Sequence, residues 1–386
     1  MNITNSIIIC TGCGCCAEIC PQKTISMKLD ESGFPRPIIV DSSLCVDCGL
    51  CVGFCPQLNF KDNAESDFKR IDYYGWSLNE KNHYSGTSGG IFPEIAHQHV
   101  NAEGVVFGAI WSDDFRDVII EPSSVGDVEK IFKSKYVFSD ATNSYKQVAS
   151  YLLDGRKVLY CGAPCQIGAL LNVLDKEKIS LEKLITCDFI CGGFPSKKFW
   201  YEHLESLTKK YGEISSIDFR SKRRGWKHAY LEIKFQNGKR IIKRSFTDSY
   251  YNCFSDMHIS VQQACNTCNY RSKHRADITL ADFWEYKKAG VQLNNKGLSL
   301  VIINTEKGKN FLKDIVDLKL NLIDEKAVQY VFKGVESPEK RYEKQKAFFE
   351  KAKSVGFEKA ANEIAITTWS GRIMIHLKKR FKKFLK

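Results

Sequence analysis

Long apolar runs are missing from this 386-residue chain: no stretch reaches the ~18–20 residues a membrane-spanning helix needs. The amino terminus offers only the short patch Ile7, Ile8 and Ile9 before Cys10, not a cleavable leader, so a cytoplasmic location is expected. No GxGxxG follows a strand pattern and no GxxxxGK[ST] occurs, which removes a Rossmann dinucleotide site and a P-loop. The eight histidines show neither HExxH nor paired metal spacing. His97 and His99 are expected on a solvated helix face, and no catalytic triad suggests itself. A C-x3-C-x2-C run, the mark of a radical-SAM cluster, is absent. Acidic residues are outnumbered, with a formal net charge of +12. The largest local source is the tail, where Arg372, Lys378, Lys379, Arg380, Lys382, Lys383 and Lys386 meet no acid. The remainder is mildly basic, so the total is no argument for nucleic acid.

What the chain has in excess is cysteine, sixteen residues of it. Cytosolic thiols stay reduced, so metal or cluster ligation is the better reading than disulfides. Cys10, Cys13, Cys16 and Cys20 followed by Pro21 spell C-x2-C-x2-C-x3-C-P. Cys45, Cys48, Cys51 and Cys55 followed by Pro56 repeat it position for position. In two-cluster ferredoxin modules three such thiolates wrap one cubane while the fourth, before proline, reaches the other. The spacing therefore assigns Cys10, Cys13, Cys16 and Cys55 to one 4Fe-4S cluster, and Cys45, Cys48, Cys51 and Cys20 to a second. Two four-thiolate zinc sites are the competing reading. Zinc ribbons instead separate two C-x2-C knuckles by a longer spacer. Cys15 is a spare, expected to face away from the cluster.

Length and composition allow two or three domains. Residues 1–60 read as the two-cluster module and the polar, aperiodic residues 61–80 as a linker. Residues 81–330 alternate strand-like and helix-like patterns and suggest a mixed α/β body. Strands are expected at Val105–Ile110, Val158–Cys161, Leu184–Ile190, Ile214–Phe219, Tyr230–Phe235, Arg240–Ser245 and Leu298–Asn304. Helices are expected at Gly90–Val100, Ser144–Leu153, Gln166–Leu174, Lys197–Lys210, Lys309–Leu318 and Glu339–Lys353. Asn237-Gly238 fits a type I′ hairpin turn. Residues 331–386 read as a helical tail. Its end places Ile373, Leu377, Phe381 and Phe384 on one face among basic residues, a pattern that suits peripheral contact with the inner membrane face or docking on the body.

Seven cysteines lie beyond the module: Cys161, Cys165, Cys187, Cys191, Cys253, Cys265 and Cys268. Cys265 and Cys268 form a C-x2-C pair. Cys165 and Cys191 each follow a strand pattern, and so would lie outside the carboxyl ends of neighbouring strands, where open α/β sheets place ligands. Four ligands for a third centre result. On spacing alone a structural pair, a zinc site or plain buried thiols fit as well. The basic run Arg220–Arg224 reads as a solvated surface patch, with an anion clamp as its functional alternative.

The wording of these segments resembles the coenzyme F-420 hydrogenase/dehydrogenase beta-subunit family, related to 7-hydroxymethyl chlorophyll a reductase. Ser88-Gly89-Gly90, Ser134-Lys135-Tyr136-Val137, Gly162 to Gln166 and Ile190 to Gly193 carry the likeness. So do Phe219 to Lys222 with Gly225-Trp226, Asp277 to Trp284, and Gly297 to Leu300 with Asn304-Thr305. It looks most like the bacterial branch found with surface-polysaccharide biosynthesis. Ala281 and Glu285 depart from it, standing where related sequences usually have glycine. The resemblance implies a third 4Fe-4S cluster on Cys165, Cys191, Cys265 and Cys268. It also implies FAD beside that cluster, held in part by Ser88, Gly89, Gly90, Lys135 and Tyr136. The function implied is an iron–sulfur flavoprotein oxidoreductase passing electrons from ferredoxin or a similar donor to a small-molecule substrate. The alternatives are an electron-transfer subunit serving a partner enzyme, and a zinc-stabilised interaction protein.

Overall fold

The computed structural model describes residues 3, 9–61, 68–324, 326, 328 and 338–364. The basic end expected to touch a membrane lies outside them. Among the described residues no helix is long and apolar enough to cross a membrane.

In the first sixty residues, helix α1 (Cys15–Ile19) and helix α2 (Leu50–Gly53) flank a hairpin of strands β1 (Ile25–Leu29) and β2 (Pro35–Ile39). The duplicated cysteine motif thus produces a duplicated structure, one loop and one short helix on each side of the hairpin. The body is built on a nine-stranded sheet. Its strands are β3 (Ile71–Ser77), β4 (Val105–Trp111), β5 (Val118–Ser123), β6 (Ser139–Asp140), β7 (Val158–Cys161), β8 (Leu184–Phe189), β12 (Ile278–Asp282), β13 (Ser299–Ile303) and β14 (Leu318–Leu322). They lie in the order β14-β3-β13-β12-β8-β7-β4-β5-β6. Strands β4, β7, β8 and β12 run parallel at the centre. A second sheet is the antiparallel meander β9 (Ile214–Ser221), β10 (Tyr230–Phe235) and β11 (Arg240–Arg244).

The central strands read as unbroken apolar runs because both faces are covered. Val158 and Tyr160 pack with Ile167, Leu170 and Val173 on one side, whereas Leu159 packs with Ile91, Ile95 and Ile185 on the other. The first side is covered by helices α5 (Ser144–Leu153) and α6 (Pro164–Lys176), the second by α4 (Ile91–Asn101), which follows the short α3 (Glu80–Ser85). Cys15 and Ile19 of α1 belong to the same apolar cluster as α6, so module and body share a core. Cys15 is buried and its thiol donates to Phe54 O at 3.4 Å and Ala169 O at 3.8 Å, a packing role as expected.

Several expectations are corrected. The polar segment 61–80 contains β3, which pairs on both sides within the sheet. Its side chains alternate too weakly in polarity to announce a strand. The helix expected to Leu318 ends at Lys313 (α9, Glu306–Lys313), and Leu318 opens β14. At Asn237-Gly238 only the glycine is left-handed, at φ 82°, so the hairpin turns through three residues and not a type I′ pair. His99 is buried, not solvated, and burial pulls its pKa down to about 4.

The meander is capped by α7 (Lys197–Tyr211), α8 (Ser249–Tyr251), α10 (Pro338–Val355) and the helical residues 357–364. A buried charge network ties them. His203 Nδ1 meets Glu358 at 3.0 Å and its Nε2 meets Asp248 at 3.4 Å, while Ser249 Oγ donates to Glu358 at 2.8 Å. Burial works against the imidazolium, but Asp248 and Glu358 outweigh it and hold the His203 pKa up at about 10. A His203→Gln variant leaves Asp248 buried without its imidazolium and costs about 3–5 kcal/mol, read from the urea midpoint. Because the folded pKa exceeds the ordinary 6.5, the histidine's contribution is complete below pH 6.5 and lost as pH rises through about 10. The variant lacks this alkaline loss.

Candidate functional site

The sixteen thiols are not scattered. Cys13 is influenced by Cys55 and Cys10, and Cys16 by Cys13, Cys10 and Cys55, which makes one set of Cys10, Cys13, Cys16 and Cys55. Burial, then these neighbours, push the Cys13 thiol up to about 12. The second set, Cys20, Cys45, Cys48 and Cys51, lines one common cavity with Gly49 at its wall. The crossing of Cys20 and Cys55 between sets is the arrangement the spacing calls for.

Both loops turn by the same backbone device. Gly14 and Gly49, each directly after the second cysteine of its motif, sit left-handed at φ 80° and φ 74° and start α1 and α2. Only glycine takes this conformation without cost. The turn aims backbone N–H groups at sulfur. Gly12 N donates to Cys10 Sγ at 3.4 Å, and backbone N–H groups at Leu58 and Gln57 favour the charged form of Cys55. At Cys20, burial alone would raise the thiol, but Thr24 and nearby backbone groups outweigh it and bring it below its ordinary value.

The third set forms at the carboxyl edge of the parallel strands. After β7 the chain enters α6 through Ala163, with Pro164 in the first helical turn and the Gln166 side chain accepting from Ala163 N at 2.9 Å. This capped turn fixes Cys165. After β8 comes Cys191, whose sulfur accepts from Gly193 N at 3.4 Å. Cys265 and Cys268 come from two short 3-10 turns, Gln263–Cys265 and Asn269–Arg271. Cys165 is influenced by Cys13 first, then Cys268, Cys191 and Cys265, and Cys191 by Cys265 and Cys268. Burial, then these neighbours, push Cys191 to about 12 and Cys265 to about 11. Cys161 and Cys187 are register partners on β7 and β8 and stay outside all three sets, as does the buried Cys253.

The sets abut. Cys51 acts on both Cys16 and Cys55, and Cys13 acts on Cys165. The first set therefore lies between the other two. Gln262, fully buried, locks the junction: its Nε2 donates to Thr11 O at 2.7 Å and its Oε1 accepts from Arg36 at 3.2 Å. Tyr145 donates to Cys13 O at 2.7 Å, and Gln57 Nε2 approaches Cys268 Sγ at 3.9 Å.

Along the same sheet edge a cluster of cationic side chains gathers several of the remaining candidates. Arg220 makes a bidentate pair with Asp282, at 2.5 and 2.9 Å, and donates to Tyr136 Oη at 3.1 Å. Trp226 donates to Asp282 at 2.9 Å and stacks on the half-exposed Trp284, centroids 4.4 Å apart. Lys222, buried, donates to the carbonyls of His83 and Ser88, and Lys135 to Phe132 O at 3.0 Å. Desolvation lowers both lysines to about 7. Lys133 pairs with Asp218. Arg220 and Lys222 are thus interior groups, which corrects the reading of 220–224 as a solvated run; Arg223, beside Glu232, and Arg224 fit it, both exposed. The sequence hid this because burial of a charge is decided by tertiary pairing.

Ser88 is left-handed at φ 55°, a rare conformation for a non-glycine. Its Oγ bonds Leu298 O, and its carbonyl faces Lys222 at 2.5 Å. Gly89 and Gly90 are glycine for internal reasons. A Cβ on Gly89 would stand 2.5 Å from Gly75 O, and one on Gly90 2.5 Å from His83 Cα. The structure thus brings Ser88, Lys135 and Tyr136 to the pocket and packs Gly89 and Gly90 behind it. Glu285, at a departing position, pairs with Lys288 at 2.8 Å.

Comparison with known proteins matches residues 9–59 to the 4Fe-4S dicluster domain, and residues 155–327 to the C terminus of the coenzyme F420 hydrogenase/dehydrogenase beta subunit. The coenzyme F420-dependent sulfite reductase of Methanocaldococcus jannaschii is 26% identical over 326 residues, covering 81% of this chain and 46% of the relative. The chain thus spans about half that relative's length. The F420-reducing [NiFe] hydrogenase complex from Methanosarcina barkeri matches with a TM-score of 0.46 at 16% identity, over 73% of this chain and 92% of that one. With the thiol sets in place where both matches fall, residues 9–59 are a 4Fe-4S dicluster domain and residues 155–327 belong to the coenzyme F420 hydrogenase/dehydrogenase beta-subunit family.

Proposed function

We propose that this chain is an iron–sulfur oxidoreductase in which three 4Fe-4S clusters lead from a surface-facing end to FAD at the carboxyl edge of the sheet. The observation that carries the reading is the proximity of three four-thiol sets, with thiols of the first set within electrostatic reach of both others. Cys10, Cys13, Cys16 and Cys55 would hold the middle cluster, and Cys20, Cys45, Cys48 and Cys51 the outer one. Cys165, Cys191, Cys265 and Cys268 would hold the inner one. The donor sets fit: four thiols each, an open cavity among the outer four, and N–H groups aimed at sulfur.

Zinc fits less well, because zinc ribbons separate two C-x2-C knuckles by a longer spacer, whereas each motif here packs four cysteines into one short run. When bound, the clusters supply one-electron transfer and FAD a two-electron store, the division of labour that joins electron carriers to hydride chemistry.

The chain's own residues explain the flavin end. Lys135 and Lys222 hydrogen-bond carbonyls and feel Asp218 and Asp282 only at longer range, while the neighbouring Lys133 and Arg220 pair directly with those carboxylates. A buried ammonium without a counter-charge favours an anion, here the pyrophosphate or the reduced ring of FAD. Trp284 offers a flat face beside Arg220, whose guanidinium carbon lies 5.1 Å from its ring centre. Tyr136 orients Arg220, and Ser88 fixes Lys222. A second reading, an electron-transfer subunit serving a partner enzyme, is favoured by the chain's coverage of 46% of a relative that carries much more sequence. Purified protein that binds FAD and turns over a reduced dye with no partner speaks against it. The expected tie to surface polysaccharides finds no support among these relatives, and no substrate is assigned.

Two outcomes are expected. Anaerobic preparation yields about twelve irons and equivalent acid-labile sulfide per chain, and Cys165→Ser lowers the count by about four. Stoichiometric zinc without sulfide would sink the proposal. FAD binding, followed by flavin fluorescence, tightens about tenfold from pH 8.5 to pH 6, because Lys135 and Lys222 gain their protons through about 7. Lys222→Gln weakens binding at pH 6 and flattens that dependence.

A further inference from the structure

Exposed aliphatic side chains on this molecule are mostly single, but three crowd one turn. Val40, Leu44 and Val46 are 56%, 53% and 62% exposed and lie immediately before and around Cys45 of the outer thiol set. Cys48 of that set is itself exposed. Isolated exposed aliphatics are ordinary, whereas a contiguous group marks a contact surface. The turn that carries them is preformed: Asp41 accepts from Ser43 N at 2.9 Å and from Ser43 Oγ at 2.5 Å, which holds the 3-10 turn Ser42–Leu44.

The charged side chains on this segment of the chain have one sign. Between Arg36 and Lys61 the chain has no lysine or arginine, and its two acids are Asp41 and Asp47. A four-thiolate cluster adds net negative charge. Lys23, exposed three residues after Cys20, is the one cation close to the set in sequence.

Building on the relay proposed above, we infer that Val40, Leu44 and Val46 form the docking face for a one-electron redox protein whose contact surface is apolar at its centre and basic at its rim. The outer set is two steps from the inner one, so a partner seated here exchanges electrons with the relay without approaching the flavin. Three aliphatics and a cluster edge make a small interface, the size class of brief electron-transfer encounters. The local charge discriminates against small acidic ferredoxins, because like charge meeting at a docking surface slows association.

The test uses iron-replete, reduced holoprotein with two probes, a basic c-type cytochrome as acceptor and an acidic two-cluster ferredoxin. Binding is measured by titration calorimetry at low salt and electron transfer by stopped flow. Cytochrome is expected to bind and react faster than ferredoxin, with a rate that falls steeply as salt is added. The double variant Val40→Ser/Leu44→Ser is expected to weaken cytochrome binding and slow its reduction five- to tenfold. Iron content and the rate with methyl viologen stay unchanged. Faster reaction with ferredoxin, or a double variant that leaves cytochrome binding and rate unaltered, overturns the docking face. Iron-free protein would instead sink the relay reading, so the two failures are told apart by the iron count.

Discussion

Sulfur anions packed together repel, and burial makes the repulsion stronger because little solvent is left to screen it. Thiols of the middle and inner sets meet that condition, and Cys13, Cys16, Cys165 and Cys191 are pushed well above their ordinary range. As neutral thiols such groups can sit together; as thiolates they need a cationic centre in place of the protons. The loops accordingly supply what proteins supply to sulfur anions, which is inward N–H groups and tight left-handed turns at Gly14 and Gly49. Much of the architecture follows from keeping these sets in line. The parallel strands β7 and β8 end where Cys165 and Cys191 are needed, and the capped start of α6 fixes the first of them.

Holding the module against the body is the second requirement, because electron transfer decays steeply with distance. Direct packing meets it. Cys15 and Ile19 enter the same apolar cluster as α6, so the spare cysteine of the first motif serves as a packing residue between parts. Asn172 reinforces this by donating to Phe54 O at 2.8 Å, and Ser196 Oγ donates to Ser32 O at 2.6 Å. Gln262 makes the most specific of these contacts. It satisfies the backbone of the Cys10–Cys13 loop three residues before Cys265, so loops of two thiol sets share one buried side chain.

How much of this was legible in the sequence depended on whether the signal was local. The cysteine spacing is local, and the structure brings Cys20, Cys45, Cys48 and Cys51 to one cavity. The buried parallel strand Val158–Cys161 announced itself as an apolar run, and the meander strand Tyr230–Phe235 was also read to the residue. Strand β3 did not, because Asp72, Tyr73 and Tyr74 look polar until Asp72 meets Arg70 at 2.8 Å and the sheet closes over them. His99 and Arg220 were misjudged for the same reason. A charged or titratable side chain looks solvated unless its partner is known, and Asp282 lies 62 residues from Arg220 in the chain. Gly89 and Gly90 were readable as necessary glycines but not as to why. Their neighbours, Gly75 and His83, come from β3 and α3.

The two ends of the proposed relay are built in opposite ways, and the contrast is physical. The outer end exposes aliphatic carbon and Cys48 beside acidic groups, a surface that favours a charged protein partner and its easy release. The inner end encloses Arg220, Lys222, Lys133 and Lys135 with only Asp218 and Asp282 to balance them. An excess of buried positive charge stabilises an added electron or a bound anion, whereas an excess of negative charge resists both. Electrons arriving singly are therefore held more favourably at the pocket than at the surface, whatever the partner outside. Burial keeps Lys135 and Lys222 near the point of losing their protons, so charge gained there can be met by a proton already at hand.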